Sequence, residues 1–131
     1  MADFRCERAF VMLDEPVPGL DHLHAVDAEG FAELLNDTIS FWMVEAGYTP
    51  LTDFLYAAYD RPKWRRAAKG LRSVRGAMEL YQKWLEAGTN PLGWSRELLE
   101  RELAVLGQVA EVLDLADSRD RRFYFAARDL A

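Results

Sequence analysis

The alternation of apolar and polar positions predicts two long helices in the second half of the chain. Apolar residues recur at helical spacing over about 62–87, and Gly88 follows as a left-handed end. The same spacing continues over about 95–116, where the initial serine suits an N-cap. Gly70 and Gly76 weaken the first of these helices, so we expect a kink or a close helix crossing there.

Two shorter helices are predicted in the first half. Residues 27–46 place apolar side chains on one face, with Asp27 as N-cap and Gly47 as the end. Pro50 begins a second helix that extends to about residue 59, because its missing N–H costs nothing in a first turn. Residues 20–26, before the first of these helices, are predicted to be a loop.

The two ends of the chain carry short apolar runs of ambiguous type. Residues 9–13 are apolar throughout, and residues 123–125 are all aromatic. Their composition weakly favours strands that pair as a two-stranded β ribbon, while a last short helix is the alternative for the second run. The predicted fold is mainly α: a compact bundle of about four helices, with that ribbon as an optional addition, in one globular domain over 1–131.

Composition and charge narrow the class of protein. The chain has 131 residues, half of them hydrophobic, and a net charge of −6, which fits one packed domain and disfavours general nucleic-acid binding. Cys6 is the only cysteine, so no disulfide forms within the chain. No stretch has the basic-then-apolar pattern of a signal peptide or the length of a membrane span. We therefore expect a soluble cytoplasmic protein.

The charges are strongly segregated along the chain. Residues 9–60 hold ten acidic and no basic side chains, and residues 61–75 hold seven basic and no acidic ones. A basic stripe is predicted on the third helix, where guanidinium groups one turn apart would bind carboxylate or phosphate. Its members are Arg61, Arg65, Lys69 and Arg72. The alternative is a solvated face, or one compensated by the acidic half of the same chain.

Two apolar residues of the third helix lie away from its main stripe. Leu80 and Trp84 widen the apolar arc, which predicts a central position, a ligand pocket or a contact between two copies of the chain. We therefore add this pair to the candidate binding residues and to the prediction of a homodimer.

Motifs for catalysis are not recognisable. The only histidines, His22 and His24, would need a third ligand to hold a metal, and no Gly-rich phosphate loop or nucleophile motif is present. We predict no catalytic residue, no cofactor and no metal. The leading hypothesis is a non-enzymatic interaction domain with a protein partner. An enzyme or binding domain for an anionic small molecule is the alternative, and nucleic-acid contact is a weaker third hypothesis.

Overall fold

The computed structural model describes residues 8–17, 25–27, 39–57 and 61–128. The strands are β1 (Arg8–Leu13), β2 (Ala25–Asp27), β3 (Leu55–Ala57), β4 (Arg65–Arg66) and β5 (Arg122–Arg128). The helices are α1 (Ser40–Glu45), α2 (Ala67–Ala87) and α3 (Arg96–Ser118), and a 3₁₀ helix (Leu51–Phe54) precedes β3. Within this part of the chain, no helix is long and apolar enough to cross a membrane.

The strands form one mixed sheet around β5. Its order is β2-β1-β5-β3, with β1 antiparallel to both neighbours and β3 parallel to β5. The two-residue strand β4 pairs antiparallel with the start of β5. The register places Arg65 beside Phe123 and Leu55 beside Phe125, so β3 and β4 share one edge of β5.

The two long helices cover one face of this sheet. Alternate residues of β1 and β5 are buried there, as the two-residue period of a strand requires. These inward residues are Ala9, Val11, Leu13, Phe123 and Phe125. They form one continuous core with the apolar stripes of α2 and α3, which also pack against each other. The molecule is thus a helical layer on a sheet.

The predicted four-helix bundle is therefore wrong, although the fold is mainly helical. The predicted pairing of the two terminal runs is confirmed, since β1 pairs with β5 from Arg8↔Arg128 to Leu13↔Phe123. It belongs to a wider sheet that includes β3 as a parallel neighbour of β5. Parallel pairing joins segments distant in sequence, and helical periodicity carries no sign of it.

Three local boundaries also differ from the sequence prediction. Residues 25–27, predicted as loop and N-cap, are strand β2. The predicted helix 50–59 is a single 3₁₀ turn followed by β3, as far as residue 57. The third helix begins at Ala67 because Arg65 and Arg66 are held in strand pairing by β5. Residues 28–38 of the helix predicted over 27–46 lie outside the described residues, and α1 (Ser40–Glu45) falls within the predicted bounds.

The helix ends themselves follow the predicted local chemistry. The Ser95 hydroxyl accepts a hydrogen bond from the backbone N–H of Leu98 at 3.2 Å and caps α3. Gly88 adopts φ +75° after α2, and its N–H donates to the Trp84 carbonyl at 3.0 Å. These two ends fix the turn between α2 and α3.

The glycines inside α2 permit close contact with aromatic rings, where the sequence predicted a kink or a helix crossing. A Cβ at Gly70 would stand 2.1 Å from the Phe123 ring. One at Gly76 would stand 2.5 Å from the ring of Tyr48, which precedes the 3₁₀ helix. Each ring thus lies directly on the helix backbone. This close contact explains why α2 contains two glycines, although glycine weakens an isolated helix.

Candidate functional site

The segment just before α2 presents a large aromatic ring at the surface. Trp64 is 40% exposed. Its contact with Tyr124, which points away from the buried face of β5, puts it on the side of the sheet opposite the helices. Its ring meets that of Tyr124 edge-on, with 4.9 Å between the ring centroids. The rings of Tyr124 and Tyr56 also meet edge-on, with 5.9 Å between their centroids. Tyr124 and Tyr56 are half-buried, so the three rings form a connected apolar surface whose most accessible member is Trp64.

Two arginines flank these rings. Arg66 of β4 lies opposite Arg122 of β5 in the antiparallel register, and both side chains are exposed. Like charges placed directly opposite each other destabilise a sheet. We call this surface the outer patch. Its members are Tyr56, Trp64, Arg66, Arg122 and Tyr124. It combines aromatic rings with guanidinium groups, the residue types enriched where proteins bind partners.

The basic residues at the start of α2 lie at the helix end where positive charge is unfavourable. Arg66 is the N-cap of α2, Lys69 lies in its first turn, and that turn holds no acidic residue. Positive charge near a helix N-terminus opposes the helix dipole, at about 0.3–1 kcal/mol per charge. None of the ion pairs formed by the described residues includes Arg66, Lys69 or Arg72. Internal compensation, one of the two alternatives considered for the stripe, is therefore not found for these three cations among the described residues.

Arg65 does not lie with the other members of the predicted basic stripe. Its register beside Phe123 turns it toward the core side of the sheet, where it is half-buried. Its guanidinium carbon lies 5.0 Å from the centroid of the Phe54 ring, and its Nη1 donates to the Asp53 carbonyl at 3.5 Å. This arginine makes contacts within its own chain, while Arg61 stays exposed.

The remaining members of the stripe lie on the exposed side of α2. Lys69 and Arg72 are exposed, and Arg72 lines a groove next to Tyr48 and Glu79. The Tyr48 hydroxyl donates a 2.6 Å hydrogen bond to Oε2 of Glu79. That bond is the main cause of a raised pKa of Tyr48, followed by desolvation. The members of the predicted stripe thus do not act together: Arg65 turns toward the core, Arg72 lines this groove, and none of the four belongs to the outer patch.

Leu80 and Trp84 are half-buried and pack against the core. The ring centroid of Trp84 lies 5.5 Å from that of Tyr81, and the ring centroid of Trp94 lies 6.2 Å from it. A small cavity of about 110 Å³ adjoins Trp84, Trp94 and Leu99. Both side chains are thus partly covered by the core. The homodimer through them stays a prediction.

Sequence reasoning missed a polar pair in the core. Tyr81 and Glu102 are fully buried on the facing sides of α2 and α3. Burial raises the pKa of Tyr81 well above its ordinary range, and the charge of Glu102 adds to the shift. Glu102 occupies an apolar-face position of α3, and that placement of a carboxylate was the available signal.

The outer patch was missed for a different reason. Trp64 lies within the helix predicted over about 62–87, and helical spacing gives no sign that the segment pairs with β5. The strand predicted over 123–125 includes Tyr124, but the prediction does not say which face of a sheet Tyr124 lies on. None of the predicted binding residues belongs to the outer patch, because its arrangement depends on the pairing of β4 with β5.

The histidines His22 and His24 lie outside the described residues. Among the residues that are described, no group of three or more His, Cys, Asp or Glu side chains is arranged to hold a metal ion. Comparisons with protein-family models, with curated proteins and with solved structures find no match for this chain.

Proposed function

We propose that this chain is a small non-enzymatic protein-interaction domain whose outer patch binds an acidic segment of a partner protein in the cytoplasm. The observation that carries the proposal is the outer patch itself: an accessible tryptophan flanked by Arg66 and Arg122, which face each other without ion pairs in the described structure. The rest of the proposal follows from the chemistry that such a surface complements.

Electrostatics supports an acidic partner. Arg66 and Arg122 lie side by side, and the exposed side chains of Arg61 and Lys63 precede them along the chain. A carboxylate placed between two guanidinium groups would relieve their mutual repulsion and accept paired hydrogen bonds. Rim charges of this kind chiefly accelerate association and exclude wrong partners.

The rings support a partner segment that also carries an apolar side chain. Trp64 has about two fifths of its surface free, and Tyr124 holds its ring in place from the side. Tryptophan, tyrosine and arginine dominate the residues whose loss most weakens protein complexes. The preferred ligand is therefore an extended peptide in which acidic residues surround one aromatic or large apolar residue.

Binding of a fluorescein-labelled peptide of glutamates around a central phenylalanine tests the proposal by fluorescence anisotropy. We expect saturable binding that weakens at least about tenfold between low and high salt, since the contacts are charged and exposed. Trp64→Ser and Arg66→Glu should each weaken it about tenfold or more.

Two matched variants serve as controls. Leu115→Ser removes a similarly exposed apolar side chain (42% exposed) from α3, and Lys83→Glu reverses an exposed charge elsewhere on α2. Both should bind like the unaltered chain. Equal weakening by the controls, or binding to single-stranded oligothymidylate in place of the peptide, would overturn the proposal.

A further inference from the structure

A second polar surface feature lies beside α2, apart from the outer patch. A groove of about 450 Å³ extends along the exposed side of the helix, between the turn after α1 and the last part of α3. Its charged and aromatic lining consists of Tyr48, Arg72, Arg75, Glu79 and Asp117. Its volume is in the range of small-molecule binding sites.

One wall of the groove is held in place by close packing. The Tyr48 ring lies on the backbone of α2 at Gly76, where a side chain would overlap it. The Tyr48 hydroxyl is tied to Glu79 on the next turn of the same helix at 2.6 Å. The groove wall is therefore fixed at both ends of the tyrosine, which favours a preformed site over a transient gap.

The charges of the groove are only partly satisfied inside the chain. Arg75 approaches Asp114 at 3.8 Å, and both side chains are more than half exposed, so this contact contributes little. Arg72 and Asp117 line the same groove but form no ion pair with each other or elsewhere within the described residues. Opposite charges that share a groove without meeting leave room for a molecule between them.

We propose that this groove binds a small zwitterion, of the class of free amino acids, with its carboxylate on Arg72 and Arg75 and its ammonium group toward Asp117. Two guanidinium groups one turn apart suit a carboxylate, which accepts paired hydrogen bonds. A simple anion would leave Asp117 unmatched and would be repelled by it. A simple cation would meet the two arginines.

Three related ligands separate these possibilities by isothermal titration calorimetry. The first is the best binder among the common amino acids, and the others are its N-acetyl derivative, which lacks the ammonium group, and its amide, which lacks the carboxylate. We expect the zwitterion to bind at least about tenfold more tightly than either derivative, as the loss of one charged hydrogen-bonding partner implies.

Two variants assign the ends of the ligand. Arg72→Gln should weaken the zwitterion about tenfold, and Asp117→Asn should do the same while leaving the N-acetyl derivative equal or tighter. Arg119→Gln and Asp120→Asn, just past α3 and outside the groove lining, are matched controls that should bind normally. Filling the groove with Ala68→Leu should abolish binding without removing a charge.

Several results would overturn this assignment. They are the failure of every amino acid to bind at millimolar concentration, equal binding of the N-acetyl derivative, and full binding by Arg72→Gln. The site is independent of the outer patch, so Trp64→Ser should keep the zwitterion while it loses the acidic peptide. Circular dichroism of each variant should match the unaltered chain, because Arg72 and Asp117 are exposed.

Discussion

Strand β5 presents aromatic side chains to both faces of the sheet, and the surroundings of the two sets differ. On the inner face, Phe123 and Phe125 are fully buried, and their ring centroids lie 5.3 and 6.0 Å from that of Phe54. On the outer face, Tyr124 is half-buried beside the exposed Trp64. The inner rings fill a closed core, whereas the outer rings end in an accessible surface with cations around it.

The comparison separates what stabilises the fold from what is available for recognition. Burial of an aromatic ring among apolar neighbours stabilises the folded chain by several kcal/mol. Cations at a helix N-terminus, or opposite one another across strands, oppose folding slightly. Where a surface carries features that cost stability, a binding role is the natural hypothesis. The predictions below test this division, beginning with the largest effect.

Removing an inner ring should cost far more stability than removing its outer neighbour. Phe123→Ala should lower the free energy of unfolding by about 3–5 kcal/mol, because it leaves a cavity under α2. Tyr124→Ala should cost about half as much, since that ring is only half-buried. Urea denaturation measures both. Equal losses would contradict the assignment of the two faces.

The inner face also constrains the helix above it. Gly70→Ala should lower the free energy of unfolding by about 2–3 kcal/mol, since the new methyl group would overlap the buried Phe123 ring. The same change at Gly107 of α3 meets no atom within 4 Å and should stabilise by about 0.5–1 kcal/mol. Helix propensity alone predicts a gain at both sites, so a gain at Gly70 would contradict the close ring contact.

The two long helices and the sheet show how far sequence reasoning extended. Periodicity and end signals such as Ser95 and Gly88 sufficed for α2 and α3, because those signals act within a few residues. The sheet depends on hydrogen bonds between distant segments, and it draws Arg65 and Arg66 out of a helix that local propensity favours. For the same reason, sequence reasoning identified the run of basic residues over 61–75 but not the aromatic rings of the outer patch.

The buried hydroxyl of Tyr81 is a polar exception within the core. It has no hydrogen-bond partner in the described part of the chain, so Tyr81→Phe should raise the free energy of unfolding at neutral pH by about 1–2 kcal/mol. Thermal and urea denaturation of the two proteins at pH 7 would check this gain. A loss of stability would show that the hydroxyl is bonded in solution.

The same residue predicts a dependence on alkaline pH. Burial raises the pKa of Tyr81 in the folded chain, while in the unfolded chain it is about 10. Above pH 10 the unfolded chain therefore binds fewer protons, and stability falls by up to about 1.4 kcal/mol per pH unit. Tyr81→Phe should remove this part of the slope above pH 10, while below pH 9 the two proteins should show the same dependence of stability on pH. An unchanged slope between pH 10 and 11 would contradict the burial of Tyr81.

The smallest effect should have opposite signs for stability and for binding. Arg66→Glu places a negative charge at the N-terminus of α2 and opposite Arg122, so it should stabilise the fold by about 0.5–1 kcal/mol. The same variant should lose the acidic peptide. Lys83→Glu, in the second half of α2, should give neither the gain nor the loss. If Arg66→Glu destabilises the chain, the arginine has a structural role, and the outer patch loses the feature that distinguishes it from an ordinary solvated surface.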